Sequence, residues 1–218
     1  MTRLGVLGGT FDPIHRGHLD VALAASRALT LSRVWLVPSH IPPHRRAPCA
    51  SAPHRFAMTA LAAQSIPDLL VSDLEMEDAS PSYTSATLDR LASRGIDTTK
   101  LFLITGADAF REIGTWKDFP AILDRCHFVA VSRPGQPAPA LRQLLPTLSQ
   151  RMVDVLGAAD PAHPSILLVD APTAPVSSTA IRERLRNGES IEGLVPHDVA
   201  HYIRKHGLYR DAPLKDFE

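Results

Sequence analysis

The sequence predicts an α/β fold: a parallel sheet with helices packed on both faces and a small helical part at the C-terminus. Three observations carry that expectation. Several short apolar runs are continuous rather than alternating, as in strands buried on both faces. Segments with apolar residues at helical spacing separate those runs, which is the order that builds βαβ units. The 218 residues, 44% hydrophobic and 21% charged, suit one α/β domain with an ordinary core, so 1–218 is read as a single domain.

The elements follow in order. Residues 3–7 form an apolar run ending in Gly8-Gly9, the first strand. Leu19, Ala22, Leu23 and Leu29 repeat at helical spacing and predict a helix over 17–31. RVWLVP at 33–38 is a second strand stopped by proline, and 39–53, rich in Pro, His and Arg, is a loop. A helix over 56–64 and a third strand at 69–72 come next. The helix over 85–94 has Gly95 just past its end. LFLIT at 101–105 is the fourth strand, 119–125 a short helix, and HFVAVS at 127–132 the fifth strand. Residues 137–157 read as one or two helices, and ILLVD at 166–170 is the sixth strand. Helices over 179–187 and 195–206, each followed by glycine, complete the chain. In such a Rossmann-like sheet ligands bind outside the carboxyl ends of the strands, near the switch point. The residues after Leu7, Val37 and Thr105 fall there.

Composition narrows the function. The 23 basic and 23 acidic residues cancel, which argues against a general nucleic-acid binder while leaving room for a local nucleotide pocket. Two cysteines form no framework; Cys126 precedes an apolar run and reads as a buried thiol, and Cys49 lies in the Pro-rich loop. The N-terminus has no secretory pattern, and no apolar run approaches the roughly 18 residues a membrane span needs. A cytoplasmic protein without a membrane partner is expected.

Residues 8–18 read GGTFDPIHRGH. Glycines after a strand let the backbone turn sharply and approach a ligand. A helix starting at the end of the string points its free N–H groups back at that turn, an anion site. His15 and His18 lie on one face of that helix and can hydrogen-bond phosphate oxygens. A P-loop would need lysine after Gly17, and the dinucleotide fingerprint would need GxGxxG; neither is present. A metal held by His15 and His18 lacks a third ligand at motif spacing.

Residues 177–182 read SSTAIR and open a helix after the sixth strand. Ser177, Ser178 and Thr179 can cap the free N–H groups or donate to a phosphate there. The guanidinium of Arg182, one turn in, suits a pair of phosphate oxygens.

GGTFDPIHRGH resembles the HxGH signature of the nucleotidyltransferase superfamily, and SSTAIR resembles its second signature, in the right order and about 160 residues later. The resemblance implies an ATP site formed by Gly8, Gly9, Thr10, Phe11, His15, His18, Gly106, Asp108, Ser177, Ser178, Thr179 and Arg182. His15, His18 and Arg182 are its catalytic members. The acceptor is indicated elsewhere. Pro42-Pro43-His44-Arg45, Ser82-Tyr83-Thr84, Gly106-Ala107-Asp108, Thr115-Trp116 and Arg133-Pro134-Gly135 resemble, in order, strings of bacterial nicotinate-mononucleotide adenylyltransferases. The ending Tyr202-Ile203 to Gly207-Leu208-Tyr209 fits as well. Trp116 would stack on the pyridine ring, Tyr83 and Thr84 would offer backbone N–H groups to its carboxylate, and Asp108 would accept from ribose. His44 and Arg45 would hold the acceptor phosphate, and Arg133 belongs to the same substrate set. Some members of that family place Asn where Ser39 stands, so Ser39 is not counted.

The implied partners are ATP, nicotinate mononucleotide and Mg²⁺ brought with the ATP, without a protein cage for the metal. The sequence is compatible with a homo-oligomer. Rival readings are an adenylyltransferase acting on nicotinamide mononucleotide or another phosphorylated acceptor, and a nucleotide-binding module without catalysis. His197 and His201, four apart on the last helix, read as a solvent face.

Overall fold

The computed structural model describes residues 3–43, 47–76, 80–154 and 164–210. Strands β1 (Leu4–Gly9), β2 (Arg33–Pro38), β3 (Leu69–Val71), β4 (Leu101–Gly106), β5 (His127–Val131), β6 (Met152–Val153) and β7 (Ile166–Val169) form one sheet. The helices are α1 (Arg16–Leu29), α2 (Ala52–Ala63), α3 (Thr84–Ser93), α4 (Ala107–Phe110), α5 (Leu141–Leu144), α6 (Ser178–Arg186) and α7 (His197–Lys205). Every strand pair is parallel, in the order β3-β2-β1-β4-β5-β7-β6. Leu4 of β1 pairs with Arg33 of β2 on one side and Leu101 of β4 on the other. The chain thus winds outward in one direction to β3, then returns past β1 to β4 and winds the other way. The β1–β4 boundary is the switch point, where a crevice opens at the carboxyl ends.

Strand residues alternate between two cores. Leu7, Leu36, Ile104, Val129 and Leu167 pack against α1, α2, α6 and α7 through Ala22, Leu29, Met58, Ile181 and Val199. Val6, Val37, Leu103, Phe128 and Leu168 face the other way, onto Leu88, Leu91, Phe110, Ile122 and Leu141. Burial on both faces is why these strands read as unbroken apolar runs. All five residues of β5 are buried.

Two expectations needed correction. Residues 119–125 form no α-helix: Asp118 has left-handed φ (64°), and Pro120 leads into a 3₁₀ turn, Ala121–Asp124. Within 137–157 the chain makes 3₁₀ turns at Ala138–Ala140 and Pro146–Arg151 around the short α5, then pairs with β7 as β6. A two-residue strand has no periodicity to detect, and residues 155–157 lie outside the described segments. The short helix α4 and the 3₁₀ turns at Thr98–Lys100 and Ile113–Thr115 were not expected, each being too brief to show a period; the other differences are at element ends. Helix α2 begins four residues earlier than 56 because Pro53 sits in its first turn, where a missing N–H costs nothing. Gly95 follows α3 at φ +80°, the left-handed end its position implied. Among the described residues no helix is long and apolar enough to cross a membrane.

Candidate active site

The loop from β1 to α1 carries the first signature to the crevice. Its backbone is held from below by Arg55, which is 1% exposed. Arg55 donates to the carbonyls of Thr10 (2.7 Å), Ser39 (2.6 Å), His40 (3.0 Å) and Ala50 (3.1 Å). One guanidinium thereby ties the loop after β1 to the loop after β2. Burial lowers its pKa, which the nearby Asp12 charge opposes.

Gly8 is exposed, and a Cβ there would meet nothing, so a ligand can lie directly on its backbone. Gly9 is different: a Cβ would come within 2.7 Å of the Phe11 ring. That ring is buried and packs edge-on against His18, with centroids 5.0 Å apart. The Phe11 side chain therefore supports His18 rather than facing the crevice.

His15 is the N-cap of α1 and is 2% exposed. Its ring stacks on His18 at 3.7 Å, the planes 19° apart. The backbone N–H of His15 donates to His18 Nδ1 (3.3 Å), which places the neutral ring's proton on Nε2 as a donor. Burial, helped by the Arg133 charge, pulls the His15 pKa down to about 3, so it is a neutral donor at pH 7. Its Nδ1 is buried and has no hydrogen-bond partner among the described residues, and the same holds for Nη1 of Arg133. Both lie beside Gly17, where a Cβ would meet Arg133 Nη1 at 2.6 Å and His15 Cε1 at 3.2 Å. Two orphaned polar groups at a helix N-terminus mark a place prepared for an anion.

Helix α6 brings the second signature to the same point. Ser177 caps it by accepting from the N–H of Ala180 (3.2 Å). Ser178 Oγ donates to the Pro13 carbonyl (2.9 Å), fastening the start of α6 to the first signature. Arg182 donates to the Asp12 carbonyl (2.6 Å) and to Thr179 Oγ1 (3.2 Å). The positive ends of α1 and α6 thus converge with Arg133 and Arg182 around one space, an environment suited to a polyphosphate.

The remaining described residues of the predicted set lie at and after the end of β4 and at the start of α3. Gly106 ends β4, and Asp108 folds back over it so closely that a Cβ on Gly106 would be 2.3 Å from Asp108 Oδ1 and 3.1 Å from Arg133 Cγ. Tyr83 is the N-cap of α3 and Thr84 its first residue. Lys117 Nζ lies 5.0 Å above the Tyr83 ring, which places the loop of Trp116 next to that helix start. Trp116 is half-buried and meets Phe128 edge-on at 6.3 Å. His44 and Arg45 lie outside the described residues. His197 and His201 are both exposed, on the solvent face of α7.

Several members of the site were not read from the sequence. Arg55, Asp12 and Tyr209 stand beneath it, with partners that are mostly backbone groups far away in the chain. A further stretch, residues 170–175, forms one wall of an open cavity of ≈ 440 Å³ whose other wall is Ser132, Arg133 and Pro137. Ser132 Oγ donates to Asp170 (2.6 Å) and Thr173 Oγ1 donates to the Ser132 carbonyl (3.1 Å), which holds the two walls together. Prolines and small residues after a strand carry no chemical signature, but the strand-end rule points there.

Comparison with known proteins gives consistent results. The sequence pattern of the family described as cytidylyltransferase-like matches residues 6–184. A Pseudomonas fluorescens protein named "probable nicotinate-nucleotide adenylyltransferase" is 41% identical over 211 residues, covering 95% of this chain and 97% of that one. A Thermus thermophilus protein of the same name is 41% identical over 208 residues, covering 95% and 100%. Among solved structures, the Plasmodium falciparum nicotinic acid mononucleotide adenylyltransferase complexed with NaAD has a TM-score of 0.74 at 18% identity, covering 96% of this chain and 98% of that chain. At that identity the likeness is one of fold.

Proposed function

Because this chain belongs to the cytidylyltransferase-like family, and within it to the nicotinate-nucleotide adenylyltransferases, we propose that it transfers AMP from ATP to nicotinate mononucleotide. The products are nicotinate adenine dinucleotide and pyrophosphate. The observation that carries this reading is the convergence of both signatures, through Ser178 on Pro13 and Arg182 on Asp12, around the stacked pair His15 and His18. The whole chain is taken as one nucleotidyltransferase domain, since a single sheet runs through both cores.

The 5′-phosphate of the acceptor attacks the α-phosphorus of ATP in line, and pyrophosphate leaves. The nucleophile is already anionic, so no protein base is required, and catalysis rests on positioning and charge stabilisation. ATP lies with its ribose on Gly8 and by Asp108 and its base in the cavity beside Arg133. The N–H groups at the start of α6, with Arg182, hold the outer phosphates. His18 Nε2–H and neutral His15 donate to oxygens at the α-phosphorus, where charge grows in the transition state. On the other side Trp116 stacks on the pyridine ring, and the N–H at the start of α3, at Thr84, receives the nicotinate carboxylate; the Tyr83 N–H, expected to share that role, instead donates to the Pro81 carbonyl (2.9 Å). His44 and Arg45 are assigned to the acceptor phosphate from the sequence.

Among the described residues no group of three His, Cys, Asp or Glu is placed to hold a metal, and the side chains that face the phosphates are donors. Mg²⁺, brought with the ATP, would supply charge neutralisation at the phosphates.

The test is pyrophosphate release on mixing the protein with ATP, Mg²⁺ and each of nicotinate mononucleotide, nicotinamide mononucleotide and phosphopantetheine. Release is expected with the first and weakly or not at all with the others. His18→Ala should fold normally and lose about 10²–10³ in turnover, the cost typical of one transition-state donor. Near-normal turnover in that variant would refute the assignment of His18.

A further inference from the structure

Tyr209 lies on the tail that follows α7, beyond residues 6–184 that match the cytidylyltransferase-like pattern. Its hydroxyl reaches the nucleotide loop, donating to Asp12 Oδ1 at 2.9 Å. Asp12 is 5% exposed, and its carboxylate is fully used. Besides Tyr209 it accepts from the backbone N–H groups of Cys49 (2.7 Å) and Ala50 (3.0 Å), both in the loop after β2. The same residue fixes Arg182, which donates to its carbonyl at 2.6 Å and stands 3.8 Å from Oδ2. One buried carboxylate thus joins four separate parts of the chain: the first signature, the loop after β2, helix α6 and the C-terminal tail. Burial, and then the Asp12 charge, both favour the protonated phenol, so Tyr209 is a lasting donor. The geometry is that of a buried charge satisfied on every side, where removing one donor leaves a lone pair unmet and the group free to move.

We infer that Tyr209 is a positioning residue for the ATP site: through Asp12 it holds the Arg182 guanidinium where it meets the outer phosphates. This rests on the reading of Arg182 as a phosphate ligand. Tyr209 acts from beneath the nucleotide loop, through Asp12. It closes a brace under that loop. Removing the hydroxyl lets the Asp12 carboxylate turn toward Arg182 and draw the guanidinium away from the crevice, so phosphate contacts weaken while adenosine contacts stay.

The test is a double-mutant cycle read by calorimetric binding of an ATP analogue with a methylene bridge between the α- and β-phosphorus, which needs no turnover and no acceptor. Tyr209→Phe keeps the ring and removes only the hydroxyl. It should weaken the analogue about five- to tenfold and leave adenosine binding within twofold. Arg182→Ala should weaken the analogue by more. In that background Tyr209→Phe should add less than twofold, because the residue it acts through is gone. Full additivity, an equal loss of adenosine binding, or wild-type affinity in Tyr209→Phe each overturns the inference. Asp12→Asn, which keeps an acceptor oxygen but loses the charge, is the second variant; it should also be non-additive with Tyr209→Phe, and additivity overturns the inference by that route. If instead Arg182→Ala binds the analogue like wild type, the phosphate assignment of Arg182 fails, and with it this inference. Failure of the acceptor assignment alone would appear only in pyrophosphate release, with the binding cycle unchanged.

Discussion

Gly17 sits where three groups converge. A Cβ there would be 2.6 Å from Arg133 Nη1, 3.1 Å from the Ala174 carbonyl and 3.2 Å from His15 Cε1. The Arg133 fork could swing, but its Nη2 is held by the Val176 carbonyl (3.1 Å), and the Ala174 carbonyl is backbone. Gly17→Ala should therefore fold with a loss on the order of 1–3 kcal/mol, as overpacking usually costs. Its turnover should fall by about 10², since displacing His15 and Arg133 by a fraction of an ångström spoils alignment. Thermal unfolding and pyrophosphate release check both; a fully active Gly17→Ala would mean that Arg133 has no fixed place in the site. The two histidines beside this glycine were visible in the sequence because a short string with the right order carries them, whereas the glycine itself was given no place in the site. Asp12 was in the same string and was not given a role. Its partners Cys49, Ala50 and Tyr209 are 37, 38 and 197 residues away, and no spacing reveals them. Arg55 was given no role, although it is among the largest fully buried side chains, because nothing in its spacing distinguishes it from an exposed basic residue.

At the level of elements, β1, β2, β4, β5 and β7 were readable because they are buried on both faces and so unbroken in apolar character, while the three-residue edge strand β3, with Leu70 exposed, was readable from its apolar composition alone. The helices were readable by period. What escaped was too short to have a period, as in β6, or was shaped by a proline, as at Pro120. The placement of α3 also depends on something no pattern shows. Thr87 Oγ1 on its first turn donates to Glu75 (2.5 Å), which is 5% exposed in the turn after β3. Ser82, just before α3, also donates to Glu75 and accepts from the N–H of His40 (3.0 Å). Burial raises the Glu75 pKa, with these hydrogen bonds pulling the other way. The carboxyl thus pins the start of α3, with Tyr83 and Thr84, to the loop after β2. Glu75→Gln keeps the shape and most of the bonding and should be nearly neutral. Glu75→Ala should cost about 1–3 kcal/mol by removing the buried acceptor that Thr87 and Ser82 share. It should also raise KM for nicotinate mononucleotide more than KM for ATP. Equal effects on both substrates would show that Glu75 supports the fold without orienting the helix start.

Over the whole molecule, the buried imidazoles set how stability responds to acid. His15 is held far below its ordinary 6.5, at about 3, by burial and then by Arg133. His127, at the start of β5, is also lowered by burial; its Nδ1 accepts from the N–H of Ser165 (3.0 Å) and its ring stacks on Phe102 at 4.9 Å. A group whose folded pKa is depressed contributes stability that is present above its unfolded pKa and lost as pH falls toward the folded one. The unfolded chain takes up protons near 6.5 that the folded chain refuses, so stability declines below that pH. Each such histidine sets a slope of at most about 1.4 kcal/mol per pH unit. Glu75 acts in the opposite sense. Its folded pKa is raised above its ordinary 4.5, so its contribution is complete below that value and is lost as pH rises. Between 6.5 and 4.5 two histidines oppose one carboxyl, and the net effect is a fall in stability on acidification. Denaturant unfolding across pH 7.5 to 4.5 should show that fall. His127→Asn and His15→Asn should each flatten it, and Glu75→Gln should make it steeper by removing the opposing group. The two ends of the sheet would then be separable, because His15 lies at the carboxyl ends of the strands and His127 at the opposite edge. Binding of the ATP analogue should protect against the part of the decline that belongs to His15 and leave the His127 part intact. A profile that stays flat in the wild type, or that His15→Asn leaves unchanged, would mean that the crevice admits enough water to charge His15 near its ordinary pKa.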